Sequence, residues 1–459
     1  MSDRPAKISL HDWDERHRTL LARGVRQAAY GGPLSRHLAE GDARLPALRF
    51  DNSPAALRLW NFVLSESERL FAAQAAGKTL VAIMRDVGAA SVISASMPDT
   101  VVFRPDAVWF MPCSTATCVC DALVADSCGI DASFCPVRAM LGAMLSSVHF
   151  PTPRLLVCSA GATCDDLAAI AQRLESLGHP VFWWEVPPRR SPDPGEAHTP
   201  VPQAGPTPTS QVAFVRGQLG RLVERLEQDL GARLDDSALS LGIAAANRVR
   251  RLLGELIAAV SAAVPCPLPA LEMALAELVG VYWCADRDEA ADVLEELLDE
   301  VRRRVKSHQG VLPAGAVRVF WVNPVADPSA MNLLEECGGR LVGSDCLFCQ
   351  SANLIPQDLP PLEALARVAM ADAMVGPAAD RARRICRQAV AAGAELVVIS
   401  RVHSARHCAL DAAPVRQILS QSLDVPVVEI ATHTDDPTPT TALRHRLESA
   451  IASARRRRA

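Results

Sequence analysis

The sequence predicts an α/β protein with two Rossmann-like parallel-sheet domains, a helical middle segment and a helical N-terminal region. Short, β-branched apolar runs alternate with amphipathic segments in two separate stretches, at residues 79–186 and 317–430. Residues 212–305, which lie between them, have helical periodicity. At 459 residues, the chain is long enough for two or three domains. We expect its segments at residues 1–78, 79–210, 211–312 and 313–459.

The composition gives no reason to expect nucleic acid or an anionic membrane as a partner. The formal net charge is −5, and the basic run at residues 455–458 is typical of a solvated tail. No apolar run reaches the roughly 18 residues of a membrane span, and the N-terminus has no signal-peptide pattern. We therefore expect a soluble, cytoplasmic protein, in which the fourteen cysteines do not form disulfides.

The first half of the chain is predicted to begin with charged helices and to continue into a βαβ-type domain. The predicted elements are strands at 79–85, 91–96 and 107–111, a cysteine-dense loop at 113–128, a helix at 137–145, a strand at 154–160, a helix at 165–177 and a strand at 180–186. The proline-rich stretch at 187–210 predicts an exposed loop.

The second half is predicted to begin with long helices and then to return to the alternating pattern. The predicted elements are helices at 212–263 (with a turn near Gly231) and 271–305, a strand at 317–322, a helix at 328–336, a strand at 340–344, a helix at 378–392, a strand at 395–400, a loop with Cys408, a helix at 414–423, a strand at 425–430 and a helix at 444–454.

Four cysteines fall where ligands usually bind in such folds. Cys164 lies between a buried strand and an amphipathic helix, which is the carboxyl edge of an open sheet. A helix N-terminus there favours a thiolate. Cys135 precedes Pro136 and a predicted helix, and Cys346 and Cys408 each follow a strand.

Thiols from separated loops suit an iron–sulfur cluster better than a zinc ribbon, because a ribbon takes its ligands from two close pairs. The Cys-x-x-Cys spacing of Cys346 and Cys349 leaves a zinc knuckle as a weaker alternative.

The remaining cysteines and histidines divide into three groups. Five cysteines in apolar or helical surroundings are expected to be buried small hydrophobic residues: Cys158, Cys266, Cys284, Cys337 and Cys386. Spacing does not decide the role of Cys113, Cys118, Cys120, Cys128 and Cys349. His149 and His433 fit hydrogen-bonded structural roles, whereas His403 and His407 are candidates for supporting a cluster next to Cys408.

Five motifs, in order, resemble those of the 2-hydroxyacyl-CoA dehydratase family, which also contains the active-site subunits of ATP-dependent benzoyl-CoA reductase. Phe-Cys-Pro-Val-Arg-Ala-Met-Leu-Gly at 134–142 resembles the first cysteine motif, and Ala-Thr-Cys-Asp-Asp at 162–166 resembles the second. Val-Phe-Trp-Trp-Glu-Val-Pro at 181–187 is similar to the strand that follows. Gly-Gly-Arg-Leu-Val-Gly-Ser-Asp-Cys at 338–346 resembles the glycine-rich stretch of the second domain. Glu-Leu-Val-Val-Ile-Ser at 395–400, which leads to Cys408, is similar to the last motif. The resemblance covers roughly residues 79–459.

The resemblance implies a 4Fe–4S cluster bound by Cys135, Cys164 and Cys408, with Cys346 as a neighbour. It also implies a homologous second subunit or a second copy of the chain, an acyl-CoA substrate, and an ATP-dependent iron–sulfur activator that delivers one low-potential electron. In the dehydratases this electron turns the thioester carbonyl into a ketyl radical, which expels the neighbouring hydroxyl group.

Two alternatives remain open, and no catalytic residue is assigned. One is a benzoyl-CoA-reductase-like subunit that reduces an aromatic acyl-CoA. The other is a non-catalytic electron-relay or zinc-binding scaffold. The chain departs from the family where a Pro-x-Glu segment and a glycine turn are expected, because it reads Pro98-Asp99-Thr100 and Arg104-Pro105-Asp106.

Overall fold

The computed structural model describes residues 4–23, 31–38, 44–106, 115–325, 327–346, 353–402, 404–432 and 441–458, with the backbone alone at 115–120, 406–407 and 432. The N-terminal region is helical, as predicted, and its two short strands pair antiparallel. Its elements are β1 (Lys7–Ile8), α1 (Leu10–Ala22), β2 (Phe50–Asp51), α2 (Pro54–Leu64) and α3 (Glu66–Ala75).

The first α/β domain has a parallel four-stranded sheet in the order β4-β3-β5-β6. Its elements are β3 (Thr79–Met84), α4 (Ala90–Ser96), β4 (Thr100–Phe103), α5 (Thr115–Ser127), α6 (Ala139–Ser146), β5 (Leu155–Gly161), α7 (Asp165–Ser176) and β6 (Val181–Val186).

Two predictions in this domain are wrong. Residues 91–96 form helix α4, although Val92 and Ile93 favour a strand. The buried Asp86 carboxylate accepts the N–H group of Ala90, the first residue of the helix, at 3.1 Å, and also the Ser91 hydroxyl. The strand beside β3 is instead β4. Residues 115–127, predicted as a loop, form helix α5. The predicted strand at 107–111 lies outside the described residues.

The proline-rich stretch is more ordered than the predicted exposed loop. It contains two short antiparallel strands, β7 (His198–Thr199) and β8 (Thr207–Pro208). Arg189, near its start, is buried, and the Arg189 backbone N–H donates to the carbonyl of Val375 at 2.8 Å. Contact with the second domain therefore fixes this stretch.

The middle segment is helical, as predicted, and breaks near Gly231 and at residues 263–269. The prediction of one helix at 271–305 is wrong, because the chain breaks after Tyr282 and a new helix begins at Arg287. The segment comprises α8 (Thr209–Leu230), α9 (Asp236–Ala262), α10 (Ala270–Tyr282) and α11 (Arg287–Lys306). Asp235 and Asp286 begin α9 and α11 by accepting backbone N–H groups at the first turn. No helix among the described residues is both long and apolar enough to cross a membrane.

The second α/β domain repeats the sheet of the first, with parallel strands in the order β10-β9-β11-β12. Its elements are β9 (Val317–Val322), α12 (Ser329–Glu336), β10 (Gly339–Asp345), α13 (Pro361–Met370), α14 (Ala378–Ala391), β11 (Leu396–Val402), α15 (Arg406–Ser422), β12 (Val427–Thr432) and α16 (Thr441–Arg458). The sequence did not predict α13. Cys408, predicted in a loop, lies in the first turn of α15.

The two sheets confirm the predicted fold class, with two Rossmann-like domains joined by helices. One hydrophobic core runs from Leu10 to Ala454 and includes residues of every segment. Because this core crosses the predicted boundaries at residues 78, 210 and 312, the division into segments stays a prediction. In each sheet the chain reverses its direction of winding beside the first strand, and the carboxyl ends of the central strands form the usual ligand crevice.

Candidate functional site: a buried cluster of cysteines

Cys164 lies at the carboxyl edge of the first sheet. It follows β5 and is the N-cap residue of α7, so the N–H groups of the first helical turn face its sulfur. Burial raises the pKa of the Cys164 thiol to about 11. The N–H groups of Leu167 and Asp166 and the guanidinium group of Arg85 lower the pKa and so oppose this shift.

Cys135 precedes a single 3₁₀ turn, Pro136–Arg138, that leads into α6. The Cys135 backbone N–H donates to the Asp166 carboxylate at 3.2 Å, inside the protein. Asp166 belongs to the first turn of α7, just after Cys164. This hydrogen bond therefore holds the two cysteine segments together.

The second domain supplies Cys346 and Cys408. Cys346 directly follows β10 and is half-buried, and Cys408, in the first turn of α15, is buried. The Ser404 hydroxyl donates to the Ala132 carbonyl at 2.9 Å. This contact joins the segment before Cys408 to the segment before Cys135, across the two domains.

The four thiols are close enough to affect one another's ionisation. Burial raises the pKa of Cys135 well above its ordinary value, and the neighbouring thiols of Cys164 and Cys408 raise it further. Burial raises the pKa of Cys408 to about 12, Arg381 opposes the shift, and Cys164 and Cys346 add to it. Without a bound metal, the thiols of Cys135, Cys164 and Cys408 are therefore protonated at neutral pH.

The described residues contain no group of three or more His, Cys, Asp or Glu side chains arranged to hold a metal ion. In a cubane cluster each cysteine binds a different iron, so the sulfurs are farther apart than around one ion. The sulfur–sulfur distances that a cubane cluster requires are therefore longer than those around a single metal ion.

Two buried arginines stand next to the cysteines, Arg85 just after β3 in the first domain and Arg381 near the start of α14 in the second. Arg85 follows β3 in a left-handed conformation (φ 47°), and its guanidinium group contacts Asp372 of the second domain at 2.7 Å, with both side chains fully buried. Arg381 donates to the Asn323 side chain at 2.6 Å and lies 3.5 Å from Asp345. Asn323 follows β9, also in a left-handed conformation (φ 70°). These cations would partly compensate the negative charge of thiolates.

An apolar cavity of about 50 Å³ adjoins Cys346. Leu275, Leu278 and Met331 contribute to its walls. The Ser344 hydroxyl, at its polar end, contacts both carboxylate oxygens of Glu277, at 2.6 and 2.7 Å. The cavity offers an apolar group a place beside the cysteines, with polar groups on one side.

Of the five cysteines expected to be buried small hydrophobic residues, three are buried and two are not. Cys158, Cys266 and Cys284 are buried, whereas Cys337 and Cys386 are half-buried. Cys128, just after α5, is half-buried as well. Cys113, Cys349 and the side chains of Cys118 and Cys120 lie outside the described part of the chain.

Of the histidines named from the sequence, His149 has the expected hydrogen bond, with its Nε2 atom 2.9 Å from the Asp121 carboxylate. His403, His433 and the side chain of His407 lie outside the described residues, so their roles stay predictions.

The polar network around the thiols was not predicted from the sequence. Arg85, Asp372, Asn323 and Arg381 were not identified, because each contacts residues that are remote along the chain. Arg85 and Asn323 could have been predicted as site residues, since each is a polar residue that directly follows a buried strand at the carboxyl edge of a sheet.

The fold and the cysteines define a class of proteins with two parallel-sheet domains and a buried thiol site where their carboxyl edges meet. Residues 96–451 match the family model of the 2-hydroxyglutaryl-CoA dehydratase D-component. The chain belongs to this family of dehydratase-type subunits. A comparison with curated proteins found no match.

Proposed function

We propose that the chain is the iron–sulfur subunit of a 2-hydroxyacyl-CoA dehydratase-type enzyme, in which Cys135, Cys164 and Cys408 bind a 4Fe–4S cluster and Cys346 lies beside it. The observation that carries this proposal is the proximity of buried thiols from three remote stretches and two domains. A family match alone does not require this arrangement, whereas a shared cluster does.

The site fits a cluster with three protein ligands. The backbone N–H groups of Val137, in the 3₁₀ turn before α6, and of Leu167, in the first turn of α7, face the sulfurs of Cys135 and Cys164. Burial disfavours the bare thiolates, so binding must release protons, as it does for other thiolate ligands. When bound, the cluster would supply a low-potential electron and a Lewis-acidic iron.

The chain's own residues would then position the substrate and exclude water. The apolar cavity beside Cys346 would hold the acyl group next to the thiol site. The Ser344 hydroxyl and the Glu277 carboxylate would offer polar contacts to an acyl chain that carries a hydroxyl group. Arg85 and Arg381 would keep the charge of the site near neutral.

The electron would have to come from another protein. The sequence contains no Gly-x-x-x-x-Gly-Lys-Ser/Thr loop for ATP phosphates. ATP hydrolysis is therefore assigned to a separate iron–sulfur activator. The active enzyme would consist of this chain and a homologous second subunit, or of two copies of the chain.

Reconstitution under anaerobic conditions tests this function. The chain alone should neither bind ATP nor convert a 2-hydroxyacyl-CoA. Dehydration should appear only with a homologous subunit, a matching activator, ATP and a strong reductant together. An aromatic acyl-CoA in the same assay distinguishes ring reduction from dehydration. Turnover by the isolated chain without ATP would refute the proposal.

A further inference from the structure

A second cavity, of about 500 Å³, lies between the proline-rich stretch of the first domain and α14 of the second. Six arginines contribute to its wall, and we call it the arginine pocket: Arg189, Arg190, Arg381, Arg383, Arg384 and Arg387. Asp380 is the one carboxylate among its described lining residues. Of these six arginines, the proposed redox site uses Arg381 alone.

Nearby carboxylates do not neutralise all of these arginines. Asp380 pairs with both Arg189 and Arg383, so one negative charge is shared by two guanidinium groups. Arg387 is exposed, and within the described part of the chain its guanidinium group contacts a backbone carbonyl, that of Gln203 at 3.5 Å, and no carboxylate. The other pocket arginines do have carboxylate partners, since Arg190 pairs with Glu196, and Asp345 is shared by Arg381 and Arg384. Shared carboxylates and Arg387, which pairs with no described carboxylate, leave the pocket with an excess of positive charge.

Arg381 provides an independent sign of a missing ligand. Its side chain is fully buried, yet its Nε and Nη1 atoms have no hydrogen-bond partner in the described part of the chain. The nearest charge to Nη1 is the Asp411 carboxylate at 3.7 Å, which is beyond hydrogen-bond distance. Buried polar atoms usually have partners, and this guanidinium group, which borders the pocket, keeps two donors that no described residue uses.

Arg189 is held in place before any ligand arrives. Its side chain donates to the Met370 carbonyl at 3.1 Å and to Asp380 at 3.1 Å. Gly376 makes this possible, because a Cβ atom at residue 376 would lie 2.0 Å from the Arg189 guanidinium group. A rigid arginine loses little freedom on binding an anion.

We infer that the arginine pocket binds a diphosphate group of an organic phosphate. Planar guanidinium groups match phosphate oxygens in pairs, and a cluster of them recognises several phosphate charges together. Arg381 lines the pocket and also acts on Cys408, so the pocket adjoins the thiol site. If the proposed function holds, the diphosphate is that of the substrate's coenzyme A; a free nucleotide is the other source.

The test uses the purified full-length chain and isothermal titration with inorganic pyrophosphate, followed by competition with coenzyme A. Arg387→Gln removes an exposed charge of the pocket, and Arg302→Gln removes an exposed arginine that pairs with Glu255 far from it. We expect Arg387→Gln to weaken pyrophosphate binding about tenfold, or about 1.4 kcal/mol, and Arg302→Gln to leave it unchanged.

Displacement of pyrophosphate by coenzyme A would identify the substrate as the source of the diphosphate, and displacement by ADP alone would identify a free nucleotide. No saturable pyrophosphate binding, or equal weakening in both variants, would overturn the inference. Iron content does not enter these readouts, so the failure of this inference is distinguishable from the failure of the proposed function.

Discussion

The buried ion pair between Arg85 and Asp372 is a contact whose loss should strongly destabilise the protein. It joins the two domains beside Cys164, both side chains are fully buried, and the Nη2–Oδ1 distance is 2.7 Å. The same Oδ1 atom also accepts the Met374 N–H at 2.8 Å. Asp372→Asn keeps the shape of the side chain but leaves the Arg85 charge without its counterion.

Breaking a buried pair from one side costs about 3–5 kcal/mol. The matched control is Asp99→Asn, which breaks the ion pair with Lys78 at 2.6 Å. That pair is largely exposed, with side-chain exposures of 44% and 80%, and solvent screens such pairs, so its loss should cost little stability. Both substitutions remove one negative charge and change the net charge equally, so they differ only in burial.

Urea unfolding, followed by tryptophan fluorescence under reducing conditions, measures the difference. Asp372→Asn should lower the unfolding midpoint clearly, whereas Asp99→Asn should leave it nearly unchanged. Equal midpoints for the two variants would show that Arg85 finds other compensation, and would refute the claim that this pair stabilises the contact between the domains.

Two further predictions concern packing and pH. A Cβ atom on Gly142 would lie 2.3 Å from the Asp121 carbonyl where α5 and α6 cross, so Gly142→Ala should destabilise the protein by about 1–3 kcal/mol. Gly217 lies in α8, where an added Cβ atom would have no neighbour within 4 Å, so Gly217→Ala should stabilise the protein by about 0.5–1 kcal/mol. Thermal unfolding measures both, and shifts of the melting temperature in the same direction would contradict this prediction. Burial, with Asp51 nearby, raises the pKa of Glu272 to about 8 from 4.5. Its stabilising contribution is therefore complete below pH 4.5 and is lost as the pH rises through about 8. The stability of the protein relative to Glu272→Gln should fall over that interval in urea titrations, and a constant difference would refute the raised pKa.

The sequence predicted the elements whose local pattern is strong and failed where remote contacts decide. The alternating stretch from β5 through α7 to β6 was predicted almost to the residue, because its apolar run, turn and amphipathic helix agree with one another. Residues 91–96 were mistaken for a strand, since only the structure shows that Asp86 accepts hydrogen bonds from Ala90 and Ser91 at the start of the helix.

In the candidate site, too, the local patterns could be predicted from the sequence and the contacts between remote residues could not. The positions of Cys164 and Cys346 beside strand ends were readable, since the carboxyl edge of a parallel sheet is defined by the order of elements. The sequence could not show that Arg85 meets Asp372, or that Arg189 reaches α14, because these contacts join residues far apart in the chain. Four arginines in α14 were visible in the sequence, but the pocket needs the proline-rich stretch as its other wall.

The central claim is a cluster bound by Cys135, Cys164 and Cys408, and iron and acid-labile sulfide in anaerobically purified protein test it most directly. The chain should contain about four irons and be brown. Cys164→Ala should lose both iron and colour. Cys386→Ala, which changes a half-buried cysteine in α14, should keep them. A colourless protein that contains zinc, or equal iron in the two variants, would contradict the account.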